Sequence, residues 1–136
     1  MAKRTVLIID DEISFAEMVK LNLEDTDDYE VRTEYKGADG VKAALEFAPD
    51  LILLDIMLPD KDGFDVLKDL KENDQTKAIP VIMLTALKSD PVKFKAATLS
   101  AEEFMVKPVT VRMLVEKIEE VLDRRIVEKM KKENNS

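Results

Sequence analysis

"VLIID" at residues 6–10, "LILLD" at 51–55 and "VIMLT" at 81–85 are apolar until a polar residue closes each run. A strand exposed on one face alternates apolar with polar residues, so unbroken runs are expected where helices cover both faces of a sheet. Amphipathic stretches separate the runs. Their apolar residues recur at helical spacing: Phe15, Met18, Val19 and Leu23; Ala38, Val41, Leu45 and Ala48; Gly63, Val66, Leu67 and Leu70; Val92, Ala96 and Leu99; then Val111, Leu114, Val115, Ile118, Val121 and Leu122. The expected strands are Thr5 to Asp10, Tyr29 to Tyr35, Leu51 to Asp55, Pro80 to Thr85 and Glu103 to Lys107. Five strands alternating with five helices predict an α/β fold with a mostly parallel sheet. At 136 residues, one domain accounts for the chain.

Strand order follows from burial. "YEVRTEY" alternates Tyr29, Val31, Thr33 and Tyr35 with Glu30, Arg32 and Glu34, which marks the second strand as an edge. An interior first strand then lies between the second and third, and right-handed crossovers give the order 2-1-3-4-5. Winding reverses between strands one and three, opening a crevice at their carboxyl ends where open α/β sheets bind ligands. The strand ends bring Asp10, Asp11, Glu12, Asp55, Thr85 and Lys107 to that rim.

Carboxylates crowded on one rim repel by several kcal/mol at an effective dielectric of about 20, and a bound cation relieves this. Oxygen ligands without His or Cys favour a hard ion, and Mg²⁺ (or Mn²⁺) typically keeps waters and phosphate oxygens in its shell. An aspartate carboxylate is a competent nucleophile toward phosphorus. Asp55, at the end of the central strand, is the candidate, with Lys107 and Thr85 placed to stabilise phosphoryl oxygens. The chain has no histidine, so it carries neither a triad nor a phosphohistidine of its own. It has no cysteine, which excludes disulfides and thiolate zinc sites. A net charge of −8 argues against direct nucleic acid binding or an anionic membrane surface. The apolar run Val6 to Ile9 is too short for a signal peptide or membrane span, and a cytoplasmic location is expected.

"LIIDDE", "LILLDIMLPDKDG", "VIMLTA" and "FMVKP", in this order from about Arg4 to Leu122, resemble the four signatures of the receiver domain of two-component response regulators. The resemblance implies a flavodoxin-like doubly wound sheet of order 2-1-3-4-5 with five helices. It also implies that Asp10 and Asp11 form an acidic metal pocket, with Asp11 the more direct ligand. Asp55 becomes the phosphoacceptor, the backbone carbonyl of Met57 a further metal ligand, and Thr85 and Lys107 the phosphoryl contacts. Phe104 becomes the switch aromatic that moves with Thr85, remodelling the face of helix four, strand five and helix five. The Lys107-Pro108 bond is expected to be cis. Met57 and Leu87 would flank the attacking water; both are apolar, so a long-lived phosphoryl group is expected. A chain of this kind catalyses its own phosphorylation and slow dephosphorylation without being a conventional enzyme. Its implied partners are a histidine kinase or histidine phosphotransfer protein, a downstream output domain or target protein, and a second copy on the helix four, strand five and helix five face.

Two other functions are weighed against this one. A Mg²⁺-dependent aspartyl-phosphate phosphohydrolase usually has an acid two residues after its nucleophile, and Met57 stands there. A vestigial receiver serving only as an interaction module sits poorly with the complete set Asp10, Asp11, Asp55, Thr85 and Lys107.

Some positions depart from the family pattern. Ser100 and Asp28 stand where glycine is common and a left-handed backbone is expected, which would leave the fourth helix irregular or mobile. Gly40, costing about 1 kcal/mol relative to Ala within a helix, is expected to allow close packing. Asp90 before Pro91 is the expected N-cap of the fourth helix. The receiver is expected over 1–123, with 124–136 a helical extension or linker, because apolar spacing continues through Ile126 and Met130. The expectation is either a stand-alone receiver or a piece cut after one.

Overall fold

The computed structural model describes residues 2–87 and 89–135. Along the chain run β1 (Arg4–Ile9), α1 (Ile13–Glu24), β2 (Tyr29–Glu34), α2 (Gly37–Phe47), β3 (Leu51–Leu54), α3 (Gly63–Glu72), β4 (Val81–Thr85), α4 (Asp90–Thr98), β5 (Glu103–Val106) and α5 (Val111–Asn134). The strands form one parallel sheet in the order β2-β1-β3-β4-β5, as the burial argument requires.

The unbroken apolar runs are explained by two cores. Val6, Ile8, Leu51, Leu53, Ile82 and Leu84 face α1 and α5, while Leu7, Ile9, Ile52, Leu54, Val81 and Met83 face α2, α3 and α4. Each fully buried side chain of this size contributes roughly 1.5–3 kcal/mol, so polar residues fall at the ends of the inner strands: Arg4 and Thr5 open β1, and Thr85 closes β4. At the β2 edge Tyr29 and Val31 are buried and Glu30 is exposed, preserving the alternation.

Register positions the rim. Ile9 pairs with both Glu34 and Leu54, and Leu54 with Met83, so the inner strands end nearly level. Asp10, Tyr35, Asp55 and Lys107 fall one residue past the ends of their strands, and Pro80 one before its own. Asp10, Asp55 and Lys107 still donate backbone hydrogen bonds to the neighbouring strands, at 3.0, 3.0 and 2.8 Å. They therefore leave the sheet while anchored to it.

Glycine is required at two close approaches. A Cβ on Gly40 would meet the buried Ile9 side chain at 2.5 Å, so α2 lies on β1 as closely as expected. A Cβ on Gly63 would strike the Asp55 carbonyl and the Ile56 Cα. The glycine closing "LPDKDG" thus lets α3 begin directly against the residue that follows β3.

Three expectations need correction. Ser89, not Asp90, caps α4: its hydroxyl accepts from the Val92 N–H at 3.4 Å, and Asp90 is already helical. Ser100 has the expected left-handed backbone, at φ 66°, but Asp27 rather than Asp28 has it at the other turn, at φ 63°. The Asp28 carbonyl already accepts from the Arg4 N–H at 2.9 Å, so the reversal is complete one residue earlier. Nor is α4 irregular. Ser100 closes it with bonds from the Ser100 and Ala101 N–H groups to Ala97 and Ala96, the helix-ending arrangement that a left-handed residue permits. The Lys107-Pro108 bond is cis.

α5 buries Leu114, Ile118, Val121 and Leu122, then continues as one helix to Asn134 with Ile126, Val127 and Met130 exposed. No helix among the described residues is long and apolar enough to cross a membrane.

Candidate functional site

Two loops and one helix start hold the rim in place. After β3, the Asp62 carboxylate caps α3 by accepting from the Phe64 N–H at 2.7 Å. Asp60 accepts from the Gly37 and Ala38 N–H groups at 2.7 and 3.0 Å, tying this loop to the start of α2. Those bonds from Ala38 and Gly37 hold the Asp60 carboxyl below its ordinary range. Asp10 accepts from the Glu12 N–H at 2.9 Å, which fixes the turn into α1.

The pocket so framed gathers Asp10, Asp11 and Asp55, each with a carboxylate oxygen within 4.8 Å of the others. Lys107 completes it. Its Nζ lies 2.8 Å from Asp10 Oδ2, 3.1 Å from Glu12 Oε1 and 3.3 Å from Asp55 Oδ2. The second Asp55 oxygen accepts from the Met57 N–H at 3.2 Å. Adjacent aspartates have opposite surroundings: Asp10 is 2% exposed, whereas Asp11 is open to solvent.

Burial pushes the Asp10 carboxyl up to about 6; the bonds from Lys107 and the Glu12 N–H limit the rise, and the Asp55 charge adds to it. Burial also acts against the Lys107 charge, but hydrogen bonding to Asp10 and the Asp10 and Asp55 charges outweigh it, leaving the lysine above its ordinary value. Three acids contact one ammonium, and Asp11 adds a fourth carboxylate to the rim. At 4.8 Å each unscreened carboxylate pair costs roughly 3 kcal/mol at an effective dielectric of about 20. The all-oxygen donor set and the excess negative charge fit a hard divalent cation.

Beside these acids opens a cleft of about 390 Å³ lined by Asp11, Glu12, Asp55, Met57, Leu58, Pro59, Thr85 and Ala86. Thr85 is fully buried, and its Oγ accepts from the Leu87 N–H at 3.4 Å. Met57 (58% exposed) and Leu87 (37% exposed) stand at the surface. Phe104 is not part of the cluster. It is half-buried on β5, opposite Met83, against the core that faces α2, α3 and α4.

The geometry adds two residues to which sequence reasoning assigned no role. Glu12 stands among the rim acids, and its contact with Lys107 is the missing detail. Phe15 reads as an ordinary apolar position of α1, yet its ring lies under the Lys107 ammonium, 4.5 Å from centroid to Nζ. Helical spacing contains no signal for that contact, because Lys107 comes from the far end of the chain.

An open parallel sheet with an acidic pocket at its winding reversal, closed by a lysine from the fifth strand's end, defines a narrow class of protein. The response regulator receiver domain family matches residues 6–119, and the chain belongs to that family. It is 37% identical over 119 residues to the DNA-binding dual master transcriptional regulator RpaA of Synechocystis, covering 88% of this chain and 49% of that protein. The chain thus spans about half the length of this curated relative. Among solved structures, it is similar to a CheY-like response regulator receiver domain protein from Methanospirillum hungatei, with TM-score 0.87 and 29% identity over 93% of this chain and 99% of that one. It is also similar to the chemotaxis response regulator CheY4 of Vibrio cholerae, with TM-score 0.82 and 31% identity over 88% and 99%. Accepting a phosphoryl group is the general function of the family.

Proposed function

We propose that Asp55 is the phosphoacceptor of this receiver domain and takes its phosphoryl group from a phosphohistidine on a histidine kinase or histidine phosphotransfer protein. The observation that carries this reading is the Lys107 ammonium bonded to both Asp10 and Asp55, with Asp55 lining the cleft. A carboxylate oxygen of Asp55 attacks phosphorus and forms an acyl phosphate. The P–N bond breaks, and the leaving imidazole keeps its electron pair. Lys107 pairs with the negative oxygens, and the Thr85 hydroxyl donates to one of them.

Asp10, Asp11, Asp55 and the Met57 backbone carbonyl would hold Mg²⁺ or Mn²⁺, which supplies charge neutralisation for the entering phosphoryl oxygens. Thr85 and Phe104 form the switch, and the α4, β5 and α5 face is the output surface, engaging an output domain, a target protein or a second copy. Met57 and Leu87 cannot orient an attacking water, so the acyl phosphate is long-lived. The receiver ends near residue 123; in support, the last buried residue of α5 is Leu122. Residues 124–136 serve as its helical extension or linker, and the protein acts in the cytoplasm.

Intact mass spectrometry after incubation with phosphoramidate and Mg²⁺ tests this. The expected result is a single persistent phosphoryl adduct on the wild type and none on Asp55→Asn. An adduct of equal yield on the variant would overturn the assignment.

A further inference from the structure

We propose that Phe15 is a positioning residue for Lys107, its ring face holding the ammonium beside Asp55 by a cation–π attraction; this rests on the phosphoacceptor reading above. Phe15 is the third residue of α1 and packs, partly buried, against the core shared by α1 and α5. That packing fixes the ring while its face meets Lys107 Nζ at 4.5 Å. The lysine side chain is itself only 10% exposed. An ammonium over an aromatic face gains most where water is excluded.

The physical need is for an attraction that leaves carboxylate oxygens free. Lys107 otherwise rests on Asp10, Glu12 and Asp55, and two of these belong to the cluster suited to a divalent cation. An ammonium held only by those acids competes with the cation for the same lone pairs. A ring offers no lone pair in its plane for a hard metal, so its hold on Lys107 persists when the carboxylates are engaged elsewhere. A leucine would fill similar core space without supplying the quadrupole.

Two measurements on the wild type, Phe15→Leu and Phe15→Tyr test this. In the metal-free protein, ¹H–¹³C NMR of the Lys107 ε-methylene, assigned with Lys107→Met, reads the ring current directly. We expect its protons upfield of the other lysines in the wild type and Phe15→Tyr, and among them in Phe15→Leu. The phosphorylation rate with phosphoramidate at saturating Mg²⁺ should fall about 2- to 30-fold in Phe15→Leu, with Phe15→Tyr restoring it to about the wild-type rate. A purely structural role for the ring would make Phe15→Tyr no better than Phe15→Leu in the phosphorylation rate. An ordinary Lys107 resonance in the wild type, or an unchanged rate in Phe15→Leu, overturns the proposal. Absence of any adduct on the wild type, with the upfield resonance present, overturns the Asp55 reading and leaves the ring's hold on Lys107 established.

Discussion

α3 and α4 lie on the same side of the sheet, yet they are held to it very differently. α3 buries Gly63, Phe64, Val66, Leu67 and Leu70, and Asp62 caps it through a 2.7 Å bond. α4 buries only Ala96, its Ser89 cap is a 3.4 Å bond, and Phe94 stands 74% exposed. The strands follow suit: β3 is buried throughout, and β5 is half-buried throughout. Asp55 therefore comes from the tightly packed part of the molecule, whereas Lys107 comes from the loosely packed part. Regions with few buried contacts open at low free energy, so α4 and β5 form the softer side of the molecule.

The contrast breaks most visibly if α3 proves dispensable. Leu67→Ala, at a fully buried position, should cost about 2–5 kcal/mol in urea denaturation; a loss below about 1 kcal/mol would mean that this side is no firmer than the other. The caps sharpen it at a smaller scale. Asp62→Ala is expected to lose about 1–2 kcal/mol and Ser89→Ala about 0.5 kcal/mol, following the shorter and longer bonds. The Ser89→Ala loss should appear in amide exchange of α4 alone. Smallest is Phe94→Ala, expected within about 0.5 kcal/mol of the wild type because the ring touches little. A larger loss in the same denaturation experiment would reveal packing on α4 that its exposure does not suggest.

The strand order and the rim were legible because burial on both faces writes itself into consecutive residues, and because "YEVRTEY" announces an edge. Register then followed from strand ends, bringing Asp10, Asp55, Thr85 and Lys107 to one side. Caps and turns were less legible. Ser89 and Asp90 are both good N-caps, and Asp27 and Asp28 both tolerate a left-handed backbone. Choosing between such neighbours depends on whether a carbonyl or amide is already paired, as the Asp28 carbonyl is with Arg4.

Composition and periodicity alone determined a doubly wound sheet and a rim of acids around one lysine, since both arise from patterns a few residues long. Only the tertiary structure decided that Asp10 is buried and Asp11 open, that Glu12 shares the ammonium, and that Phe15 lies beneath it. Those outcomes depend on side chains from opposite ends of the chain meeting in space. Local sequence periodicity records which face a residue occupies, but not what the other end of the chain will place there.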